Sequence, residues 1–191
     1  MPRFIASLLL SVSVMAAELP TPTAPTAEDI SHAGQWTSAI IHTPRGAITV
    51  DLFPATAPIS VANFVKLAQS GFYDGTTFHR VVPDFVIQGG DPCTRPGGPA
   101  GMPGTGGPGY TIKAEVGATN PQQHLPGTLA MARSADLDSA GSQFYLTCTA
   151  TPHLDGGYTV FGRIHNPKDI EIIRAVRAGD PLRVEIPTTK K

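Results

Sequence analysis

The segment FHRVVPDFVIQGGD, residues 78–91, decides how this chain is read. Two apolar, β-prone runs flank Pro83–Asp84, a pair suited to a tight turn, so the segment reads as two strands folded back on each other. Yet His79 and Arg80 stand at its entrance and Gln88 near its end. Charged and amide groups are costly in a β core unless they find partners. One reading makes Arg80 a surface residue and Gln88 a structural amide. The other points Arg80, Phe85 and Gln88 into one cleft, where a ligand supplies the missing partners.

Working outward, WTSAIIHTPRGAITVDLF (36–53) reads as a hairpin around His42–Gly46, with Ile48, Val50 and Leu52 alternating against Thr49 and Asp51. In APISVANFVKLAQSGFY (57–73), Pro58 fits a first helical position. Val61, Phe64, Val65 and Ala68 then follow helical spacing, and Gly71 is placed to stop the helix. PGGPAGMPGTGGPGY (96–110) lacks the Gly-Lys-Ser/Thr of a phosphate cradle and reads as a shaped surface loop. Four strand-like runs follow: GTLAMAR, SQFYLTCT, YTVFGRI and LRVEI. A second helix is expected from Asn166–Pro167 to near Gly179, with Ile170, Ile173 and Val176 on one face. A closed antiparallel barrel with two helices covering its ends accommodates this set.

The chain has 191 residues, 41% hydrophobic and 15% charged, which suits one folded domain with appendages. A net charge of −1 and the lack of a basic run give no case for nucleic-acid binding. Residues 1–16, with Arg3 ahead of an apolar stretch from Phe4 to Ala16, read as a signal peptide cut before Ala17. That stretch falls short of the roughly 20 residues a membrane span needs. Residues 17–35 read as a Pro/Thr/Ala-rich linker, 36–187 as the folded domain and 188–191 as a tail. A periplasmic or secreted location follows, with no membrane span after cleavage and a monomer expected. Cys93 and Cys148 are too few for a zinc cluster, and their pairing stays open at this level.

YDGTTFHRVVPDFVIQGGD (73–91) resembles the signature of the cyclophilin-type peptidyl-prolyl isomerases, with Tyr73, Phe78, His79, Arg80, Phe85, Gln88, Gly89 and Gly90 in the family's positions. LAMARSADLDSAGSQFYLT and LDGGYTVFGRI are similar to two further family blocks, and the first looks most like bacterial single-domain members, periplasmic ones included. The resemblance implies an eight-stranded closed barrel capped by two helices. It also implies rotation about X-Pro bonds in unfolded or loop segments of exported proteins, with no cofactor and no metal. Arg80, Phe85 and Gln88 are the catalytic positions it points to. Val86, Tyr145 and Leu154 match the proline pocket; Gln88 and Gln143 match polar positions that hold Arg80 and the substrate backbone. Ala132 and Arg133 match the strand that pairs with the bound peptide. His153 stands at the pocket rim where well-known eukaryotic members carry Trp, Tyr158 where they carry His, and Tyr145 where Phe is frequent.

The chemistry explains these residue types. An X-Pro bond prefers trans by less than about 1 kcal/mol, yet its rotation barrier is close to ~20 kcal/mol. At the twisted transition state the proline nitrogen gains a lone pair, and a guanidinium aimed at it stabilises that state selectively. The planar amide is the more polar species, so an apolar pocket favours the twisted form. His79 reads as a structural, hydrogen-bonded residue, and Ser142 in GSQFY does not form a hydrolase elbow. The rival reading is a non-catalytic proline-peptide binding or chaperone module. It has no need for a cation directed at the nitrogen.

Overall fold

The computed structural model describes residues 21–187, so the expected signal segment 1–16 and the tail 188–191 lie outside the described residues. The chain runs through β1 (Ser38–Thr43), β2 (Gly46–Leu52), α2 (Pro58–Gln69), β3 (Thr76–Thr77), β4 (Arg80–Val82) and β5 (Val86–Gly89). It continues through β6 (Thr128–Met131), β7 (Phe144–Thr147), β8 (Val160–Ile164), α3 (Ile170–Ala175) and β9 (Pro181–Glu185); α1 (Ala27–Ser31) precedes them all. The strands lie in the order β3-β9-β1-β2-β8-β6-β7-β5-β4, each neighbour antiparallel.

This is a curled, nine-stranded half-barrel, not the closed eight-stranded barrel expected. The added strand is β3, two residues that pair Thr76 with Leu182 and Thr77 with Pro181, too short to leave a periodic signal. The edges β3 and β4 are joined by the chain itself, through Phe78 and His79, rather than by a ladder. The backbone of Phe78 is already engaged: its N–H donates to Asp180 O at 3.0 Å, and Gly179 N–H donates to Phe78 O at 3.0 Å.

Both expected helices form. Gly71 adopts φ 72° just past α2, the left-handed conformation that ends a helix. A 3₁₀ turn at Pro167–Asp169 leads into α3, which stops sooner than expected because Val176 is already extended (φ −62°, ψ 141°). A second correction concerns residues 17–35. Within that supposed linker, α1 is closed by a capping box: Asp29 N–H donates to Thr26 Oγ1 at 3.1 Å, and Thr26 N–H donates to Asp29 Oδ2 at 2.7 Å. Lys66 of α2 pairs with Asp29 at 2.9 Å, Ile30 packs on the core and Ala33 is buried. The Pro/Thr composition concealed a local cap and two apolar anchors.

The main core lies between α2 and the inner face of the sheet, where Phe64 packs tilted against Tyr73 and Phe161, and Phe144 meets Phe64 and Tyr73 edge-on. Strands β6 and β7 are buried at every position, so both of their faces are covered. Alternate residues therefore serve two clusters. Ile87, Leu129, Met131, Phe144, Leu146 and Phe161 face the main core, whereas Val86, Ala130, Tyr145 and Val160 form a separate cluster on the outer face.

The N-terminus of α2 has no local cap, since Ala57 offers no side-chain acceptor. Glu115 supplies one from a distant loop. Its carboxylate accepts from Ile59 N–H at 2.8 Å, Ser60 N–H at 2.9 Å and the Ser60 hydroxyl at 2.8 Å. Burial raises its pKa, against the pull of those donors. The helix dipole favours a negative charge there as well. Glu115→Ala is expected to cost about 1–2 kcal/mol of stability, the scale of a lost N-cap. Turnover should change little, since Glu115 lines neither cleft described below; urea denaturation beside an isomerase assay checks both.

Candidate active site

The outer-face cluster opens as a cleft of about 230 Å³. Its floor is Val86 of β5 and Tyr145 of β7, and its walls are Phe85, Ala132, Leu154 and Tyr158. Arg80, Gln88 and Arg133 stand at its margin. Phe85 is delivered by the turn between β4 and β5, where Phe85 N–H donates to Val82 O at 3.1 Å. Pro83 takes the second turn position and Asp84 the third at φ 56°, a type II turn in a residue tolerant of left-handed backbone. Arg80 and Gln88 are register partners across the same hairpin, so they reach the cleft from one end. The Arg80 guanidinium leans on the Phe85 ring, 5.8 Å from its centroid, and none of the described lining residues is acidic.

Gln88 and Gln143, expected to hold Arg80 and the substrate backbone, make no bond to Arg80 and pair with each other: Gln88 Nε2 donates to Gln143 Oε1 at 2.9 Å. Gln143 Nε2 in turn donates to Gly104 O at 3.0 Å and Gly106 O at 2.8 Å. Those glycines belong to the Gly/Pro loop, which is wound around the fully buried Asp91. The Asp91 carboxylate accepts from Cys93 N–H at 2.8 Å and from the Gly104 and Gly106 N–H groups. A Cβ on Gly106 would collide with that carboxylate, so only glycine fits. Hence a hydrogen-bonded chain runs from Asp91 through the loop to Gln143 and Gln88.

Ala132 and Arg133 lie just beyond β6 rather than within it. Ala132 N–H is tied to Gln143 O at 3.0 Å. Arg133 Nε donates to Gly157 O at 2.8 Å, and its guanidinium carbon lies 4.6 Å from the centroid of the Tyr158 ring. A second cavity of about 540 Å³ adjoins the first. It shares Gln88, Ala132 and Arg133 with the cleft and is bounded by the Gly/Pro loop and by Ser134, Ser139 and Gln143. The two cavities join into one groove along Gln88, Ala132 and Arg133. His153 is exposed at the rim and stacks on Phe85 with ring centroids 5.6 Å apart and planes at 18°.

The structure thus brings every expected site residue to one groove, His153 at its edge. One smaller expectation changes, an open question closes, and two residues join the site. His79 is structural but not hydrogen-bonded: both ring nitrogens are buried without a partner, and the Thr77 backbone and Gln143 amide face the ring outside hydrogen-bond geometry. Burial holds its pKa below the ordinary imidazole value. Cys93 and Cys148 are both free thiols, each pushed to higher pKa mainly by burial. Asp91 and His124, which hold the site from behind, went unread in the sequence. A tyrosine in place of phenylalanine at 145 was the available signal for His124, since a buried hydroxyl demands a partner.

A curled antiparallel sheet that offers an apolar cleft and a free guanidinium on its outer face is the frame of a proline-peptide isomerase. The chain belongs to the cyclophilin-type peptidyl-prolyl cis-trans isomerases, whose family model, described as "Cyclophilin type peptidyl-prolyl cis-trans isomerase/CLD", matches residues 38–190. A peptidyl-prolyl cis-trans isomerase of Synechococcus elongatus is 46% identical over 146 residues, covering 76% of this chain and 92% of that one. Peptidyl-prolyl cis-trans isomerase B of Bacillus subtilis is 47% identical over 136 residues, covering 71% and 87%. Among solved structures, a Cryptosporidium parvum cyclophilin-type isomerase crystallised with the dipeptide Ala-Pro superposes with a TM-score of 0.67 at 26% identity, covering 80% of this chain and 99% of that one. The enzyme class is therefore peptidyl-prolyl cis-trans isomerase.

Proposed function

We propose that the 230 Å³ cleft takes the proline ring of an X-Pro segment and that Arg80 drives rotation of its imide bond. The observation that supports this most is a guanidinium resting against an apolar pocket with no acidic residue among the described lining to neutralise it. A cation so placed stabilises a developing lone pair on the proline nitrogen more than the planar amide, in which that nitrogen is a poor acceptor. Phe85, Val86, Tyr145 and Leu154 exclude water, which disfavours the more polar planar form. The Gln88–Gln143 pair and the Ala132–Arg133 backbone would align the peptide along the shared groove, and His153 and Tyr158 would border it. Ala-Pro, the dipeptide named with the Cryptosporidium structure, is the minimal ligand of this kind.

One charge-assisted hydrogen bond contributes about 1.5–3 kcal/mol, or roughly 10- to 100-fold in rate. Arg80→Ala is thus expected to lower kcat/KM for an Ala-Pro peptide by ~10-fold or more, with thermal stability nearly unchanged because the residue is exposed. Arg80→Lys should also be poor, since an ammonium lacks the planar fork. Unchanged turnover in Arg80→Ala would overturn this role for the cleft.

The setting we propose is folding of exported proteins outside the cytoplasm. The support is the apolar stretch from Phe4 to Ala16 behind Arg3 in the sequence. No helix of the described residues is long and apolar enough to cross a membrane. N-terminal sequencing of protein recovered from the native cell should begin near Ala17, in a periplasmic or medium fraction. Intact Met1 in a cytoplasmic fraction would contradict export.

A further inference from the structure

Tyr145 brings a hydroxyl to the floor of an otherwise apolar pocket, and its disposition decides what the pocket is. The oxygen is turned to His124, whose Nε2 lies 2.9 Å away. His124 sits just ahead of β6, its side chain fully buried, and its other nitrogen, Nδ1, is 2.8 Å from Asp155 Oδ1. The same carboxylate oxygen accepts the backbone N–H of His124 at 2.8 Å, while Thr151 N–H donates to His124 O at 2.8 Å. Asp155 and Thr151 flank Leu154 and His153, so this one residue ties the pocket floor to the wall segment. The rings reinforce it: His124 stacks on Tyr145 at 6.0 Å and 15°, and meets Tyr158 edge-on at 6.5 Å.

A carboxylate can only accept from a neutral imidazole, which places the proton on Nδ1 and leaves Nε2 as an acceptor. Tyr145 must then donate its single O–H proton to His124. We propose that His124 is a positioning residue for the isomerase, holding the Tyr145 hydroxyl proton away from the bound imide through an Asp155–His124–Tyr145 relay. The inference rests on the cleft being the proline site. Its chemical point is the sign of the effect on the barrier. A hydrogen bond donated to an amide oxygen stabilises the planar, charge-separated form and so opposes rotation, whereas one donated to the nitrogen assists it. A tyrosine free to donate into the cleft would work against Arg80.

The groups facing the imidazole are Asp155, which favours its cation, and Tyr145, Tyr158, His153 and Arg163. Of these, His153 and Arg163 disfavour the cation through their charge, and burial disfavours it most. The His124 pKa is accordingly lowered from the ordinary value of 6.5, so the relay holds at neutral pH. Only in acid would the imidazolium donate to Tyr145 and displace its proton toward the cleft.

A double-mutant cycle read by exchange NMR on an Ala-Pro peptide tests this. His124→Leu should lower kcat about 5-fold with little change in KM in the unaltered background, and less than about 2-fold in the Tyr145→Phe background. Equal losses in both backgrounds would overturn the relay. Should His124→Leu fail to fold by circular dichroism, the pH profiles decide: kcat of the unaltered enzyme should fall in acid along a limb that Tyr145→Phe lacks, and matching profiles would overturn the proposal. Arg80→Ala in the same assay separates the two levels. If it remains fully active, the cleft is not the site; if it is impaired while the cycle is additive, only the role of His124 fails.

Discussion

The site depends on the two-residue period of the strands β5 to β8. Successive side chains point to opposite faces, so Phe144 and Leu146 enter the core while Tyr145 between them faces the cleft. The same split separates Leu129 and Met131 from Ala130, Ile87 from Val86, and Phe161 from Val160. A one-residue slip of β7 would drive Phe144 and Leu146 into the groove and Tyr145 into the core, and a slip of β8 would exchange Phe161 with Val160. The register that makes the pocket is thus enforced by the burial of Phe144, Phe161, Leu129 and Leu146, all shielded from water. Preorganisation of the cleft comes from the packing that folds the domain.

A polar shell grows from this apolar frame. The buried Asp91 binds the Cys93 N–H and shapes the Gly/Pro loop through the Gly104 and Gly106 N–H groups, the loop holds Gln143 through two carbonyls, and Gln143 holds Gln88. The Gln143 amide is therefore held at both ends, and Gln88 is anchored to it through Nε2. Among the described residues the Arg80 guanidinium is held by its place in the β4–β5 hairpin and by the Phe85 ring. With no acidic side chain among the described lining residues, its charge faces the cleft without a counter-ion there. Binding energy placed on the twisted amide alone accelerates rotation, and the role proposed for the apolar wall beside Arg80 rests on that condition.

Much of this could be read from residues. The Pro83–Asp84 turn, the placement of Arg80 and Gln88 on facing strands, and the α2 stripe of Val61, Phe64, Val65 and Ala68 all carried local signals of turn chemistry or period. What escaped lacked such signals. Two residues at Thr76–Thr77 are too few to show alternation, yet they form the ninth strand because Pro181 and Leu182 lie alongside. The capping box of Thr26 and Asp29 was masked by surrounding prolines. The distant cap that Glu115 places on α2 and the Asp155–His124–Tyr145 relay join residues 55 or more, and 21 to 31, positions apart. Such long-range hydrogen bonds follow from tertiary packing alone. Family resemblance brought out the groove residues and gave Gln88 and Gln143 to Arg80 and the substrate backbone; toward Arg80 the expectation fails, because the two amides bond each other.

The most direct test is to titrate the enzyme with an Ala-Pro peptide while following side-chain methyl resonances by NMR. Both faces carry methyl reporters: Val86, Ala130 and Val160 outward, and Ile87, Leu129, Met131 and Leu146 inward. The two-face architecture predicts large, saturable shifts for the outward methyls and Ala132, with the inward set nearly unmoved. Shifts of equal size on both faces, or binding that leaves Val86 and Ala130 unperturbed, would contradict a site built on the outer face of the strands that enclose the core.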